Sequence, residues 1–395
     1  MKTNYLKLSV GVDIAKDTFY ACICVLTTDL EKQVLATEEF KNNRAGFKSL
    51  IKWLSKEKGL KNMDGVFVME ATGVYHEALA FFLYNAGKRV SVMQSGRVKK
   101  YAQSLPQRSK TDLLDCKMLS YLGCERSLYS WKPPSGEYLD LKMLCRERSD
   151  IVSCITNTTN KLMSKEAAYS VPKSTIKRYG KRLKLYEQQL DVVEQEMKEL
   201  VNSNAELKEK INKLISIPGV GFITAVVVTG ETLGFHQITN IKQLTSFAGY
   251  DVKHRESGAY KGKTTISKKG NKHIRAILHF PSMTAVRMDT PLRVFYLRLK
   301  ERKSKPIIAL VAVQRKMLGL MYSLWKKDEY YKDPRKIQTK KSKEKIDVKG
   351  QKKVAPRNEG GATQDRLPLI NQRKPSLYKA KDKINAKKLV LQHST

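Results

Sequence analysis

Four acidic residues in the first third of the chain have the types and positions of metal ligands. Asp13 lies in the apolar segment VGVDIA, and Glu70 ends the apolar segment GVFVME. A carboxylate in such surroundings is costly to bury without a partner. Asp112 and Asp115 are three residues apart in TDLLD, so a helix would place them on one face. Oxygen ligands of this kind suit Mg²⁺ or Mn²⁺, and two such ions could hold a phosphodiester between them.

Each of these acids also has a purely structural interpretation. Asp13 could cap a turn, Glu70 could end an exposed strand, and Asp112 could be an acid in the first turn of a helix. Taken together, an Asp on the first strand, a Glu on a later strand and an Asp pair on a terminal helix favour a ribonuclease-H-like metal site. The sequence therefore predicts that Asp13, Glu70, Asp112 and Asp115 bind the metal.

A second group of candidate residues occupies one unusual stretch in the last third of the chain. Ser257 and Gly258 lie in a loop rich in glycine and lysine. The residues predicted to bind nucleic acid around them are His254, Arg255, Lys261, Lys263, Lys268, Lys269, Asn271, Lys272 and Arg275. A serine in this positive field could attack a phosphodiester if its proton is removed. From the residues alone, a hydrogen-bond donor to phosphate is the more frequent role of such a serine.

The segment IPGVG, residues 217–221, has the form of the turn in a helix-hairpin-helix element. Gly219 and Gly221 would let the backbone approach a phosphate at a helix N-terminus, so both are candidate nucleic-acid contacts. A glycine turn between two packed helices is an equally good interpretation of the same residues.

The elements that must position these residues follow from the hydrophobic pattern. Two apolar, β-branched segments near residues 7–14 and 18–26 predict an antiparallel pair of strands, and a third strand, QVLATEEF, follows. Alternating helix and strand patterns then continue to a helix that begins near Ser109. This order predicts a mixed α/β sheet with helices on both faces.

The pattern changes after residue 130. Apolar residues recur every three or four positions over residues 141–162 and again over 186–200, with a break at Pro172. Two long helices of the coiled-coil type are predicted. They could form a hairpin within the chain or pair with a second chain, and the continuation of the pattern to Leu214 favours a dimer.

The balance of charge indicates a polyanionic partner. The 395 residues carry a formal net charge of +37, and residues 331–395 contribute +13 of it. The +24 on the rest of the chain predicts an extended basic surface that binds phosphates. Many lysines and few aromatic residues predict that the tail is disordered.

Other features of the sequence exclude several classes of protein. It contains no run of 18 apolar residues and no signal-peptide pattern, which predicts a soluble, cytoplasmic protein with no membrane partner. The six cysteines form no C-x-x-C pair and are interpreted as reduced thiols. The chain has no G-x-x-x-x-G-K-[ST] loop, so it shows no sequence motif of the P-loop type for binding ATP.

Six separate motifs occur in a characteristic order. They are GVDIAKD, MEATGVYHEAL, SKTDLLDCKMLS, IPGVGFITA, FAGYDVKHRESG and KGNKHIRAIL. With them the chain, over about residues 7–330, resembles the DEDD-type insertion-sequence transposases, the insertion-sequence-one-ten family, which includes the Piv-type DNA invertases. The resemblance implies an α/β, RNase H-like (RuvC-like) N-terminal domain, long coiled-coil helices, and a mainly α-helical C-terminal transposase domain with a helix-hairpin-helix-like element.

The resemblance also implies roles for individual residues and partners. Asp13, Glu70, Asp112 and Asp115 would be the acids that bind Mg²⁺, and Ser257 would be the nucleophile that forms a covalent phosphoserine link to cleaved DNA. A structured non-coding guide RNA would pair with target and donor DNA. The protein would act as a homodimer, or as a tetramer on DNA, with the RuvC-like site of one subunit facing the serine of another. A bacterial or archaeal host and association with the nucleoid are expected.

The implied domains are a RuvC-like catalytic domain at 1–130, a coiled-coil region at 131–214, a transposase domain at 215–330 and a basic tail at 331–395. The predicted function is that of a DNA transposase, or site-specific recombinase, that cuts and rejoins strands to mobilise an insertion sequence. Two alternatives stay open. A metal-dependent junction resolvase or nuclease would need only the carboxylates, and a nucleic-acid-binding scaffold would perform no chemistry.

Overall fold

The computed structural model describes residues 5–57, 60, 63–71, 73–106, 109, 111–254, 256–258, 260–262, 264–302 and 305–335. The chain divides into two compact units, residues 1–133 and 134–395. The first is mixed α/β and the second is mainly helical, which confirms the coarse fold class. Further boundaries at residues 214 and 330 stay predictions, and the predicted tail lies outside the described residues beyond residue 335.

The first unit is built on a five-stranded sheet. Its elements are β1 Tyr5–Ile14, β2 Thr18–Thr27, β3 Lys32–Lys41, α1 Arg44–Lys56, β4 Gly65–Glu70, α2 Glu77–Asn85, β5 Arg89–Met93, α3 Ser95–Ala102 and α4 Asp112–Glu125. The strand order is β3-β2-β1-β4-β5. β2 is antiparallel to β1 and β3, whereas β1, β4 and β5 are parallel. The sheet is therefore mixed, as predicted, and its ribonuclease-H-like character stays a prediction.

Helices cover both faces of this sheet, as predicted. On one face Val10 of β1 packs in a cluster with Phe47 of α1 and Leu79 of α2. On the other face Val68 of β4 packs with Leu119 of α4. Side chains alternate between the two faces along each strand, so buried strands must be apolar on both.

The second unit is mainly helical and also contains two short antiparallel pairs of strands. Its elements are α5 Gly136–Glu166, α6 Lys173–Ser203, α7 Ala205–Ile215, α8 Phe222–Glu231, α9 Ile241–Phe247, β6 Val252–Lys253, β7 Glu256–Ser257, β8 Tyr260–Lys261, β9 Thr265–Ile266, α10 Lys272–Ile277, α11 His279–Arg287, α12 Pro291–Arg302 and α13 Pro306–Lys327. One hydrophobic cluster extends through it from Leu141 of α5 to Trp325 of α13.

The two long helices that the heptad pattern predicts are α5 and α6, each of 31 residues. They pack against each other as a hairpin within the chain, where Arg148 Nε donates to Glu194 Oε1 at 2.8 Å. The apolar pattern beyond residue 203 belongs to the separate helix α7. Asn204 ends α6, and its side chain accepts a hydrogen bond from the Leu207 amide to start α7. Pairing with a second chain stays a prediction.

Helix α13 alone, among the described helices, is long and apolar enough to cross a membrane by length and composition. Half of its most apolar window is buried inside the protein. Val313, Met317 and Met321 are fully buried in the hydrophobic cluster of the second unit. The helix therefore packs in the manner of a core helix.

Candidate active site

The ends of β1 and β4 place two of the predicted acids at neighbouring positions. The parallel register pairs Val12 with Met69, so Asp13 and Glu70 come next on adjacent strands. Val12 and Met69 pack on the face that α1 and α2 cover. Because successive side chains of a strand point to opposite faces, Asp13 and Glu70 both point to the face that α4 covers. Both side chains are half-buried.

Helix α4 lies so close to β1 that the strand and the helix need glycines where they cross. A Cβ on Gly11 would lie 2.0 Å from the Cys116 carbonyl oxygen and 2.2 Å from the Ser120 amide nitrogen. A Cβ on Gly123 would lie 2.0 Å from Ser9 Oγ. Later residues of α4 thus lie beside earlier residues of β1, so the first turn of α4 points towards the carboxyl end of β1.

That first turn carries the other two predicted acids. Asp112 is exposed, Asp115 is half-buried, and the Thr111 hydroxyl caps the helix by accepting from the Leu114 amide. Acids in the first turn of a helix are stabilised by its dipole. We call the region formed by Asp13, Glu70, Asp112 and Asp115 the acid face.

Two neighbouring groups respond to the charges of the acid face. A hydrogen bond with Glu39 raises the pKa of Tyr20, and Asp112 adds to that rise. A hydrogen bond with Cys22 and burial raise the pKa of Cys116, and the charge of Asp13 adds to it. All six cysteines are free in the structure, and five of them are buried; their reduced state stays a prediction.

The donor chemistry of the acid face fits a divalent cation, because all four candidates are carboxylates on one face and at one end of the sheet. The arrangement of the four carboxylates fits a metal site less well than their chemistry does. Among the described residues, no three His, Cys, Asp or Glu side chains come close enough together to hold one metal ion. The metal site therefore stays a prediction.

Gly11→Ala is expected to destabilise the first unit by about 3 kcal/mol or more. The added methyl group would overlap backbone atoms of α4, which cannot rotate away, so the helix that carries Asp112 and Asp115 must shift. Thermal and denaturant unfolding would measure the loss.

Gly96→Ala in α3 is the matched control, because nothing lies within 4 Å of the position of its Cβ. Alanine is also the better helix former, so this variant should be as stable as the wild type or slightly more stable. Equal stability of Gly11→Ala and the wild type would contradict the close approach of α4 to β1.

Ser257 lies near the tip of a two-tier β-hairpin, residues 252–266, which we call the serine hairpin. The inner tier pairs Val252 with Ile266, and the outer tier pairs Ser257 with Tyr260. Gly258 makes the turn with a φ of 54°, a left-handed conformation that glycine adopts readily. Ser257 is exposed, so its side chain is accessible from the solvent.

Hydrogen bonds hold the base of the serine hairpin. The Ser267 hydroxyl donates to Asp251 Oδ1 at 2.5 Å, and the Ser267 amide donates to the Asp251 carbonyl at 2.7 Å. The Asn271 amide donates to the Phe247 carbonyl at 2.7 Å. These contacts hold the residues on either side of the inner tier.

Asn271, a predicted nucleic-acid contact, is engaged within the protein. Its Nδ2 donates to Glu231 Oε2 at 2.6 Å, and its Oδ1 accepts from the amides of His273 and Ile274 to cap α10. Arg146 donates to the same Glu231 carboxylate at 3.0 and 3.2 Å. Burial acts to raise the pKa of Glu231, but these hydrogen bonds outweigh it and lower the pKa.

The buried carboxylate of Glu231 thus joins α5, α8 and the start of α10. Glu231 was not among the candidate residues that residue type and spacing predicted. The available signal was a single acid at the end of the otherwise apolar helix FITAVVVTGE, because a buried acid in such a helix requires a partner.

The other predicted contacts of the last third differ in their surroundings. Arg275 donates to the carbonyl groups of Ala248, Gly270 and Asn271 at 2.8–3.2 Å, and so supports the hairpin base. The exposed candidates are His254, Lys268, Lys269 and Lys272. Arg255, Lys263 and the side chain of Lys261 lie outside the described residues.

The two glycines of IPGVG have different environments between α7 and α8. Gly219 has a φ of 89°, and its Cβ would lie 2.5 Å from the Pro281 carbonyl oxygen, so the turn and its packing explain this glycine. Gly221 is the N-cap of α8, with open space where a Cβ would be. The described structure therefore leaves room for a ligand at Gly221, and the helix-hairpin-helix interpretation stays a prediction.

The segments that carry these sites match known families. Residues 10–165 match the transposase family described as DEDD_Tnp_IS110, and residues 211–297 match the "Transposase IS116/IS110/IS902 family". Together the two segments span more than half of the chain. The chain belongs to the IS110 family of transposases. This confirms the family that the six motifs predicted, and the enzyme class is that of a DNA transposase or recombinase.

Two proteins are similar to this IS110 transposase over most of its length. A "Pilin gene-inverting protein" from Moraxella lacunata is 26% identical over 324 residues, which cover 80% of this chain and 95% of the relative. A "Transposase for insertion sequence element IS1111A" from Coxiella burnetii is 24% identical over 353 residues, which cover 82% and 91% of the two chains.

Structural comparison returns Holliday junction resolvases. T. thermophilus RuvC in complex with a Holliday junction substrate covers 29% of this chain and 90% of its own, with 11% identity and a TM-score of 0.23. The fowlpox virus Holliday junction resolvase covers 29% and 93%, with 16% identity and a TM-score of 0.22.

Proposed function

We propose that this IS110-family protein is a site-specific DNA recombinase that cuts and rejoins strands to mobilise an insertion sequence. It would use Mg²⁺ at the acid face and Ser257 as the nucleophile. One observation carries the proposal: the acid face falls within the segment matched at residues 10–165, and the exposed serine falls within the segment matched at 211–297. Gene inversion and transposition, which the names of the relatives state, both reconnect DNA strands.

In the proposed reaction the bond from Ser257 Oγ to phosphorus forms as the bond from phosphorus to the leaving strand oxygen breaks. The hydroxyl proton passes to a base, and the leaving oxygen takes up a proton. The phosphoester bond is exchanged and not lost, so rejoining to a new strand needs no ATP. The exposure of Ser257 supports this role, because an exposed hydroxyl group is accessible to a phosphate of the DNA.

The acid face would contribute to the same reaction by holding the cation. Asp13, Glu70, Asp112 and Asp115 supply the oxygen ligands in this proposal. When bound there, Mg²⁺ would neutralise charge on the phosphate oxygens during strand cleavage.

We extend the proposal to the partners that the family resemblance implies. These are donor and target DNA, a structured guide RNA, and a second copy of the chain in a homodimer or a tetramer. The net charge of +37 supports a nucleic-acid partner but does not distinguish RNA from DNA.

The function is tested by recombination in cells that carry the gene and its flanking DNA on a plasmid. Sequencing is expected to find new strand junctions, and a discrete RNA is expected to copurify with the protein. Free DNA ends without new junctions would favour the nuclease alternative. Unchanged DNA together with only random copurified fragments would contradict both recombination and RNA guidance.

A further inference from the structure

The tip of the α5–α6 hairpin, residues 161–184, concentrates positive charge in a short segment. We call it the hairpin tip. It carries one acid, Glu166, and eight basic residues, so its formal net charge is +7. The basic residues are Lys161, Lys165, Lys173, Lys177, Arg178, Lys181, Arg182 and Lys184, and all eight are exposed.

The positive charge belongs to the hairpin tip and is not a general property of the two helices. The rest of α6, residues 185–203, contains five acids and a single basic residue, Lys198, and so has a net charge of −4. Because charge reverses along one helix, the overall basic composition of the chain does not explain the hairpin tip.

No contact within the described part of the protein uses these charges in ion pairs. The ion pair between the two helices, Arg148 with Glu194, lies outside the hairpin tip. Two local contacts are present: Arg178 donates to the Thr175 hydroxyl at 3.1 Å, and the Arg182 guanidinium lies 5.4 Å from the centre of the Tyr179 ring. Long cationic side chains left in water in this number are available to a polyanion.

The arrangement of the charges on α6 suits a linear row of phosphates. Lys173, Lys177, Lys181 and Lys184 follow one another at spacings of four, four and three, so they form one stripe along the helix. At a rise of about 1.5 Å per residue the stripe is about 16 Å long. The buried Leu183, where α6 packs on the hydrophobic cluster, lies about 100° around the helix from Lys184. All four lysines are exposed, so the stripe lies on the solvent side of α6.

We propose that the hairpin tip is a DNA-binding arm that contacts the phosphate backbone of a DNA duplex through this lysine stripe. The inference rests on the proposed function, which makes duplex DNA the polyanion that the protein must hold. A lipid surface fits less well, because the apolar face of α6 is covered by packing and an interfacial helix needs that face free. Contacts of this kind are independent of base sequence and sensitive to salt.

The test is the affinity of the full chain for a random-sequence DNA duplex, measured by fluorescence anisotropy at several salt concentrations. The variant is Lys173→Gln/Lys177→Gln/Lys181→Gln. The slope of log K against log salt concentration is negative, and each lost phosphate contact reduces its magnitude by about 0.9. The three substitutions are therefore expected to reduce the magnitude of the slope by about 2 to 3.

Helix α1 offers a matched control. Lys48, Lys52 and Lys56 have the same spacing and are also exposed, so Lys48→Gln/Lys52→Gln/Lys56→Gln removes the same charge from the same geometry. This control should leave the slope within about 0.5 of the wild-type value. Thermal unfolding of both variants would verify that they are folded.

The possible outcomes separate this inference from the proposed function. Wild-type protein that does not bind duplex DNA would contradict the proposed function. Binding by the wild type with equal slopes for the hairpin-tip variant and the α1 control would overturn the DNA-binding arm alone. A loss confined to an RNA duplex of the same length would also overturn the assignment to DNA.

Discussion

Ser257→Ala is expected to abolish covalent protein–DNA adducts, with a loss of about 10³-fold or more, while DNA binding is retained. The substitution removes the proposed nucleophile and leaves no other oxygen on that side chain. Ser257 is exposed on the serine hairpin, so the loss of its hydroxyl should not disturb the core. Adducts would be measured by denaturing immunoprecipitation from cells that carry the gene and its flanking DNA, followed by sequencing of the attached DNA.

The matched control for this experiment is Ser246→Ala. Ser246 is also an exposed serine of the second unit, on α9. The Ser246→Ala variant should therefore form adducts at the wild-type level. Adducts that persist in Ser257→Ala would remove this serine from the mechanism. Strand cleavage without adducts in the wild type would favour the nuclease alternative.

Asp13→Asn is expected to lower strand cleavage by about 10²-fold or more with little change in DNA affinity. The amide keeps the size of the side chain, but it removes a negative charge from the acid face and is a weaker ligand for Mg²⁺. Cleavage would be followed by sequencing DNA ends and junctions in cells, and affinity by anisotropy with the purified full chain.

Asp29→Asn provides the control for Asp13→Asn. Asp29 is an exposed acid in the turn between β2 and β3, outside the acid face. The Asp29→Asn variant should cleave DNA as the wild type does. Full cleavage by Asp13→Asn, with wild-type thermal stability, would exclude a role for the acid face in the chemistry.

The alternation of apolar residues allowed the sheet of the first unit to be predicted. Buried strands must be apolar, and the turns between them are short, so the strands are marked locally in the sequence. Helix α3 was not predicted, because its segment SGRVKKYA shows no clear apolar repeat. Only Val98 and Tyr101 of this helix are buried. Packing on the sheet, and not an obvious apolar stripe, stabilises this short helix.

The roles of polar residues in the second unit were harder to predict. Asn271 and Arg275 have the residue types of nucleic-acid contacts, but the fold gives Asn271 a cap and a bond to Glu231, and gives Arg275 three backbone carbonyls. Residue type states which hydrogen bonds a side chain can make. The partners it finds depend on distant parts of the chain.

The amino-acid sequence by itself determined the family. It also supplied the candidate acids Asp13, Glu70, Asp112 and Asp115 and the candidate serine in its basic loop, because residue type and local spacing are visible in the sequence. The tertiary structure alone decided that Asp13 and Glu70 share the sheet face that α4 covers, that α5 packs on α6 within one chain, and which basic side chains remain exposed. These outcomes depend on contacts between residues far apart in the sequence, as where Gly11 of β1 meets Ser120 of α4. Such contacts form only when the whole domain buries its apolar surface.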